Sequence, residues 1–376
     1  MIKKLLFSLT FLASAAAVSA ADEAPMAEVG AGLGTASNPS QVYNGQPSSY
    51  SYVSPRWYPH LYSTSISRFK GVIELDVKTF NEERQAANAN VNNLHSGIQM
   101  EGKMIENFLS GASIDVVKAH IRAPPSNYDE GWGVANDFVD QAFSIFFQSE
   151  FENTLNFKII GTLSNRDWDM SSYDDKENQI LDDWSNQRLD LSVFYETKDK
   201  TRLEILGTWN DRYYRNLPTA PGLSLEFYPG WVKPTGLLQE DYSLGFNTDL
   251  GTYESSSTVA IGWDLDRTNH LTSARRQRFS QSFPFYLSRL RKIKLTPSFD
   301  FIIKSFPFTP PTSLPVAYTP TSSRQDTYHI LSVLLSAPIA DSLEGVVRVS
   351  VLDVKSNYAT QNYSDGVIET GLKANF

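Results

Sequence analysis

The chain has no cysteine in its 376 residues, so neither a disulfide framework nor a thiolate metal site is open to it. It has no run near the ~20 apolar residues of a membrane helix, which excludes a helical membrane protein. It lacks a basic surplus. Lys and Arg number 33 against 42 Asp and Glu, for a formal net charge of −9, and nucleic-acid binding usually needs a basic patch. Histidine is scarce: His60, His95, His120, His270 and His329 are all there are. None falls in a metal-ligand spacing such as His-x-x-x-His. His95 and His120 are expected to approach each other on neighbouring strands. No Ser or Asp with a partnering His marks a barrel lipase or protease. The expectation is a non-enzymatic protein with no cofactor and no metal site.

What is present begins with an address. Lys3 and Lys4 form a basic start, Leu5 to Val18 an apolar stretch, and Val18, Ser19 and Ala20 a small-residue cleavage site. That is the layout of a secretory signal peptide. Residues 1–20 are read as the signal and 21–376 as one domain. Losing two lysines and no acid leaves the mature chain more acidic still. Aromatics are plentiful, with 22 Phe, 18 Tyr and 7 Trp. They fit either the interface girdles of a membrane barrel or a large soluble core.

The last stretch, Tyr363 to Phe376, alternates strictly. Gly366, Ile368, Thr370, Leu372, Ala374 and Phe376 fall on one face; Asp365, Val367, Glu369, Gly371, Lys373 and Asn375 fall on the other. Period two is the signature of a strand, and all the charge is on one side. An edge strand of a soluble sheet would show the same alternation, so the rest of the chain decides. The pattern recurs along its length. Phe69, Gly71, Ile73, Leu75 and Val77 oppose charged neighbours. So do Leu155, Phe157, Ile159 and Leu163, and Leu203, Ile205 and Trp209. The stretch Tyr50 to Tyr62 alternates around Val53, Trp57 and Leu61, but Pro55 and Pro59 interrupt it. Ala112 to Arg122 slips by one residue, which predicts a β-bulge near Val116.

The connections carry the decisive signal. Counted back from Phe376 they alternate long and short. Short ones are expected near Ile339, Leu290, Gly251, Asp199, Phe151, Ser110 and Ser63 to Ser65. A soluble sandwich has no reason to keep loop length in step with strand parity, whereas outer-membrane barrels pair tight periplasmic turns with longer extracellular loops. The fold class read from this is all-β: a transmembrane antiparallel up-and-down β-barrel of about 16 strands, within a range of roughly 14 to 18.

One face of each strand would then line the lumen. The expected pore-lining charges are Arg68, Lys70, Glu74, Asp76, Glu101, Lys103, Lys158, Arg202, Glu204, Asp264, Asp266, Arg276, Arg278, Lys294 and Lys304. Rings of one sign set ion preference, whereas mixed signs leave a transverse field and weak selectivity. Pairing across strands to hydrate the wall is an equally good account of them. Arg275, Arg276 and Arg278 are expected at the outer mouth, placed to attract anions. The segment Asp167 to Asn186 is rich in Asp and Glu. It reads first as a solvated loop and second as an oxygen-rich Ca²⁺ site without EF-hand spacing. Leu217 to Leu237 is unusually apolar for a loop, with Tyr228 and Trp231. It is expected either to narrow the lumen or to form an external surface.

The final strand resembles the C-terminal strand of Gram-negative outer-membrane barrels, which typically end in a lipid-facing Phe. The opening, Ala27 to Ser40, with Gly30, Gly32, Gly34 and Asn38, resembles the start of the β-barrel porin families. The likeness is one of organisation over Ala27 to Phe376. It implies residence in the outer membrane, with its lipid and lipopolysaccharide as surroundings. It implies handling by periplasmic chaperones and by the barrel-assembly machinery, which would read Phe376 as an assembly signal. It further implies passive diffusion of small hydrophilic solutes. The alternative is a non-enzymatic barrel for exopolysaccharide export or surface attachment, with Tyr228 and Trp231 binding sugar.

Overall fold

The computed structural model describes residues 27–37, 47–64, 66–80, 91–122, 135–151, 154–168, 184–197, 201–214, 236–249, 254–266, 274–288, 292–306, 324–357 and 362–376. The signal segment, most of the acidic segment and the loop carrying Tyr228 and Trp231 lie outside these residues. The strand segments are β1 (Ala27–Ala36), β2 (Ser48–Trp57), β3 (His60–Ser63), β4 (Ser67–Phe80), β5 (Val91–Ile105), β6 (Phe108–Arg122), β7 (Ala135–Ser149), β8 (Leu155–Trp168), β9 (Trp184–Glu196), β10 (Arg202–Tyr214), β11 (Gly236–Asp249), β12 (Glu254–Asp266), β13 (Ala274–Ser282), β14 (Phe285–Ser288), β15 (Ile293–Phe306), β16 (Arg324–Ala340), β17 (Leu343–Ser356) and β18 (Tyr363–Asn375).

Every pairing is antiparallel between neighbours in sequence, and β1 pairs with β18, so the sheet closes on itself. Two proline breaks explain why 18 segments make a 16-strand wall. Both β2 and β3 pair with β4, separated at Tyr58 and Pro59. Pro59 has no N–H for the ladder, but its carbonyl accepts the Gly71 N–H at 2.8 Å. Likewise β13 and β14 both pair with β15, broken at Phe283 and Pro284. Closure leaves no strand edge, which is the condition for sheet to exist inside a bilayer.

At one end of the barrel every connection between strands is shorter than any connection at the other end. The short ones include Glu106–Asn107 and Asp341–Ser342. Asn107 takes a left-handed conformation (φ 69°), which its short polar side chain tolerates. Asn156 clamps another: its Oδ1 accepts the Phe151 N–H at 2.7 Å and its Nδ2 donates to the Phe151 carbonyl at 2.8 Å. Phe376 lies at this same end, where it exchanges backbone bonds with Ala27 at 2.8 and 3.2 Å. By the rule that barrels turn tightly on the periplasmic side, this end is periplasmic.

Two local expectations need correction. The turn expected near Ser110 is at Glu106–Asn107, and Ser110 sits inside β6. The bulge expected near Val116 is absent: Ser96↔Val116 and His95↔Val117 are consecutive in an unbroken register, and the only shift in that ladder falls between Lys103 and Ile105. The apparent slip arises because Val117 and Ala119 face inward. A lumen wall accepts apolar side chains where they pack, and Ala119 is buried.

The outward parity is a continuous apolar band. Ile145, Ile205 and Ile368 are 54%, 61% and 55% exposed, an arrangement that lipid stabilises and water would not. A Lys or Arg on that face at the bilayer midplane would cost about 2–4 kcal/mol. This band, around a closed barrel with one short-turn end, places the chain in the outer membrane of a Gram-negative bacterium.

Candidate functional site: the inward wall

Residues paired across antiparallel strands share a face, so the register fixes the inward wall. All fifteen charged positions named from the sequence fall on it. Arg68, Lys70, Glu74 and Asp76 come from β4, Glu101 and Lys103 from β5, and Lys158 from β8. Arg202 and Glu204 come from β10, and Asp264 and Asp266 from β12 by register position. Arg276 and Arg278 come from β13, and Lys294 and Lys304 from β15. Arg275 does not join them. It pairs with Trp263 and Ser305 on the outward parity, because adjacent strand residues point oppositely. Asp167 and Asn186, placed in a loop by composition, are residues of β8 and β9.

Toward the outer end the wall is a set of short arginine–aspartate pairs. Arg166 grips Asp140 through two bonds of 2.7 Å. Arg276 reaches Asp264 at 2.8 Å and Asp241 at 3.0 Å. Asp264 also accepts from Gln239 at 3.1 Å and has Lys304 at 3.9 Å. Arg278 meets Asp300 at 2.7 Å, and Arg324 meets Asp326 at 2.5 Å with both side chains almost fully buried. In the Arg166, Arg278 and Arg324 pairs two guanidinium nitrogens reach one carboxylate, the strong class of charged hydrogen bond. Aromatic faces extend them: the Arg166 guanidinium lies 3.7 Å from the Phe138 ring centroid and 4.9 Å from that of Trp184, and Arg212 lies 4.5 Å from Trp184. The outer arginines therefore spend their charge on the wall, contrary to the expectation of an anion-attracting cluster.

The periplasmic end differs. Arg68 and Glu101 are 3.9 Å apart, with the Arg68 side chain 66% exposed. Arg202 serves Glu204 at 2.9 Å and Glu196 at 3.8 Å, and Lys373 meets Glu28 at 2.9 Å. Lys70 and Lys103 have no carboxylate partner among the described residues. Among the described residues Lys158 meets only the Phe146 ring, 5.8 Å away.

Between these zones His95 bridges two carboxylates, with Nδ1 3.1 Å from Glu74 and Nε2 2.9 Å from Asp115. Tyr58 donates to Glu74 at 2.6 Å and Ser113 to Asp115 at 2.8 Å. The ring is held from both sides on the wall. His120 is not its neighbour: it pairs with Asn92 and Asp137, the opposite parity from His95.

The closing seam carries a feature that charge patterning did not single out. Tyr50 is fully buried. Its hydroxyl donates to Glu369 at 2.9 Å, and the Lys78 ammonium stands 3.7 Å from its ring centroid. Its ring lies over Gly34, where any Cβ would collide with it, and Tyr52 lies over Gly371 in the same way. The glycines of β1 are the sequence trace of two tyrosines laid flat against the wall. Further wall residues missed by name, among them Asp115, Asp140, Arg166, Arg188, Asp190, Arg324 and Asp326, were available from the same alternation.

No protein-family model and no curated protein matches the chain in sequence. Solved structures match it in shape. OccAB1 of Acinetobacter baumannii is similar with a TM-score of 0.52 at 9% identity, over 93% of this chain and 96% of that one. A BenF-like porin from Pseudomonas fluorescens is similar with a TM-score of 0.51 at 8% identity, over 94% and 99%. At these identities the likeness concerns the fold, which is that of outer-membrane porins.

Proposed function

We propose that the protein is a passive diffusion channel for small hydrophilic solutes, and not an enzyme. The observation that carries this is a closed 16-strand barrel whose inward face is charged and polar along its length. Barrels of 16–18 strands are wide enough to hold an aqueous channel, whereas about eight strands leave room only for packed side chains. A water-filled bore lined by hydrated groups passes polar solutes and rejects apolar ones. The porin-like shape supports the same reading. On this proposal the chain's surroundings are outer-membrane lipid and lipopolysaccharide. Its assembly would depend on periplasmic chaperones and on recognition of the last strand with Phe376. Purified, refolded protein added to a planar bilayer should produce stepwise open-channel currents. Currents indistinguishable from the bare bilayer, from protein that shows heat-modifiable mobility on a detergent gel, would overturn the proposal.

A further inference from the structure

The wall's charges are not mixed evenly along its axis. Every inward-facing aspartate in the outer half discussed above has a cation, a histidine or a hydroxyl on it, and the arginines that meet them are correspondingly neutralised. Lys78 and Arg212, which also face inward in that half, stand against the rings of Tyr50 and Trp184. Three further lysines without a carboxylate partner among the described residues lie at the other end, on one arc. Lys70 is near the start of β4, Lys103 near the end of β5 and Lys158 near the start of β8, which puts all three toward the periplasmic mouth. The inward residues between them are largely uncharged: Gln99 opposite Lys70, Leu109 opposite Lys103, and Gln148 opposite Lys158. Three acids lie on this arc. Glu101 stands 3.9 Å from Arg68, Glu150 accepts from Gln148 at 3.4 Å, and Glu106 is in the turn that follows β5. With Arg68 included, four cations face three carboxylates among the described residues.

We infer that this lysine arc makes the channel prefer small anions, and that the preference is set at the periplasmic end and not at the arginine-rich outer mouth. The inference rests on the diffusion-channel reading. Its physical basis is that a paired charge presents a dipole to a passing ion, with a field that dies quickly, whereas an unpaired ammonium presents a monopole. A lumen with low-dielectric walls focuses that field into the bore. Small carboxylates, phosphate and chloride share the chemistry the arc would attract. Lysine suits such a site, being a flexible, strongly hydrated point charge that draws an anion without locking it in a fork. Conduction needs attraction weak enough to let the ion leave.

The test is the reversal potential across a planar bilayer in a potassium chloride gradient. Wild-type channels should favour chloride. The triple variant Lys70→Gln, Lys103→Gln, Lys158→Gln should bring the permeability ratio to unity or to the cation side. None of the three lysines has a carboxylate partner among the described residues, so their removal strands no buried acid, and heat-modifiable mobility should be kept. The double variant Arg278→Gln, Asp300→Asn, which removes a paired arginine and aspartate together, should leave the ratio near the wild-type value. Open channels that favour potassium, or a ratio unmoved in the triple variant, would overturn this inference alone. A shift in the double variant as large as that in the triple would do the same. The absence of any open channel in the wild type would overturn the diffusion reading and this inference with it.

Discussion

The two ends of the inward wall use different side chains for the same number of strands. Outside, aspartates meet arginines in short bonds, the Arg324–Asp326 pair fully buried; toward the periplasm, Lys70, Lys103 and Lys158 stand without a carboxylate partner among the described residues, although Lys373 still meets Glu28 at 2.9 Å. The contrast teaches that charge count is a poor guide to field. An arginine held by two aspartates, as Arg276 is by Asp241 and Asp264, contributes rigidity to the wall and little attraction to the bore. A lone Lys103 contributes the reverse. Exposed ion pairs are worth about 0–1 kcal/mol, whereas stranding one member of a buried pair costs about 3–5 kcal/mol. On the diffusion-channel proposal, stability and selectivity are read at opposite ends.

Three substitutions would sharpen or break that contrast. The largest effect is expected from Asp326→Asn. It removes the negative charge and one of the two oxygens that accept from the buried Arg324 fork and, at 2.6 Å, from the Ser356 hydroxyl, sets an NH2 against the guanidinium, and should destabilise the barrel by about 3 kcal/mol in urea titrations followed by tryptophan fluorescence. Gly34→Leu should cost about 2 kcal/mol by overpacking, because the new side chain must displace the buried Tyr50 ring; a lowered temperature for the loss of folded-form gel mobility is the readout. Glu101→Gln should change the urea midpoint by no more than about 0.5 kcal/mol in stability, since its 3.9 Å partner Arg68 is exposed, while moving the reversal potential further toward chloride. An Asp326→Asn barrel as stable as wild type, or a Glu101→Gln barrel as damaged as Asp326→Asn, would erase the distinction between the two ends.

The fold was largely legible because a barrel repeats one rule. Period-two alternation and loop-length parity carry the same information at every strand, so the errors at Ser110 and Val116 did not propagate. An up-and-down barrel can close only through its first and last strands, and the structure shows that joint: Val29 pairs with Ala374 and Leu33 with Thr370, while Val351 pairs with Gly366 on the other edge. The wall residues were legible as a face but not as a circuit. Alternation puts Arg276 inside and says nothing of Asp241 and Asp264 beside it, because pairing depends on register between strands far apart in sequence. The same limit hid Tyr50, whose role depends on glycines of β1 and an acid of β18. Arg275 was misassigned for a simpler reason: three nearby arginines were read as one cluster when alternation divides them.

The seam has a consequence in time. β1 pairs with β18 along nine consecutive register positions, from Glu28 opposite Asn375 to Ala36 opposite Val367, so the first strand made must wait for the last. Every other ladder joins near neighbours in sequence and can form as hairpins on the microsecond scale. The seam must close a loop of nearly the whole chain, and such non-local contacts come late and slowly. Until then two unpaired edges are exposed to aggregation. The glycines and flat tyrosines at that joint thus mark the latch by which a long open sheet becomes a ring, and a lesion there should lengthen the life of the open sheet before it harms the finished ring.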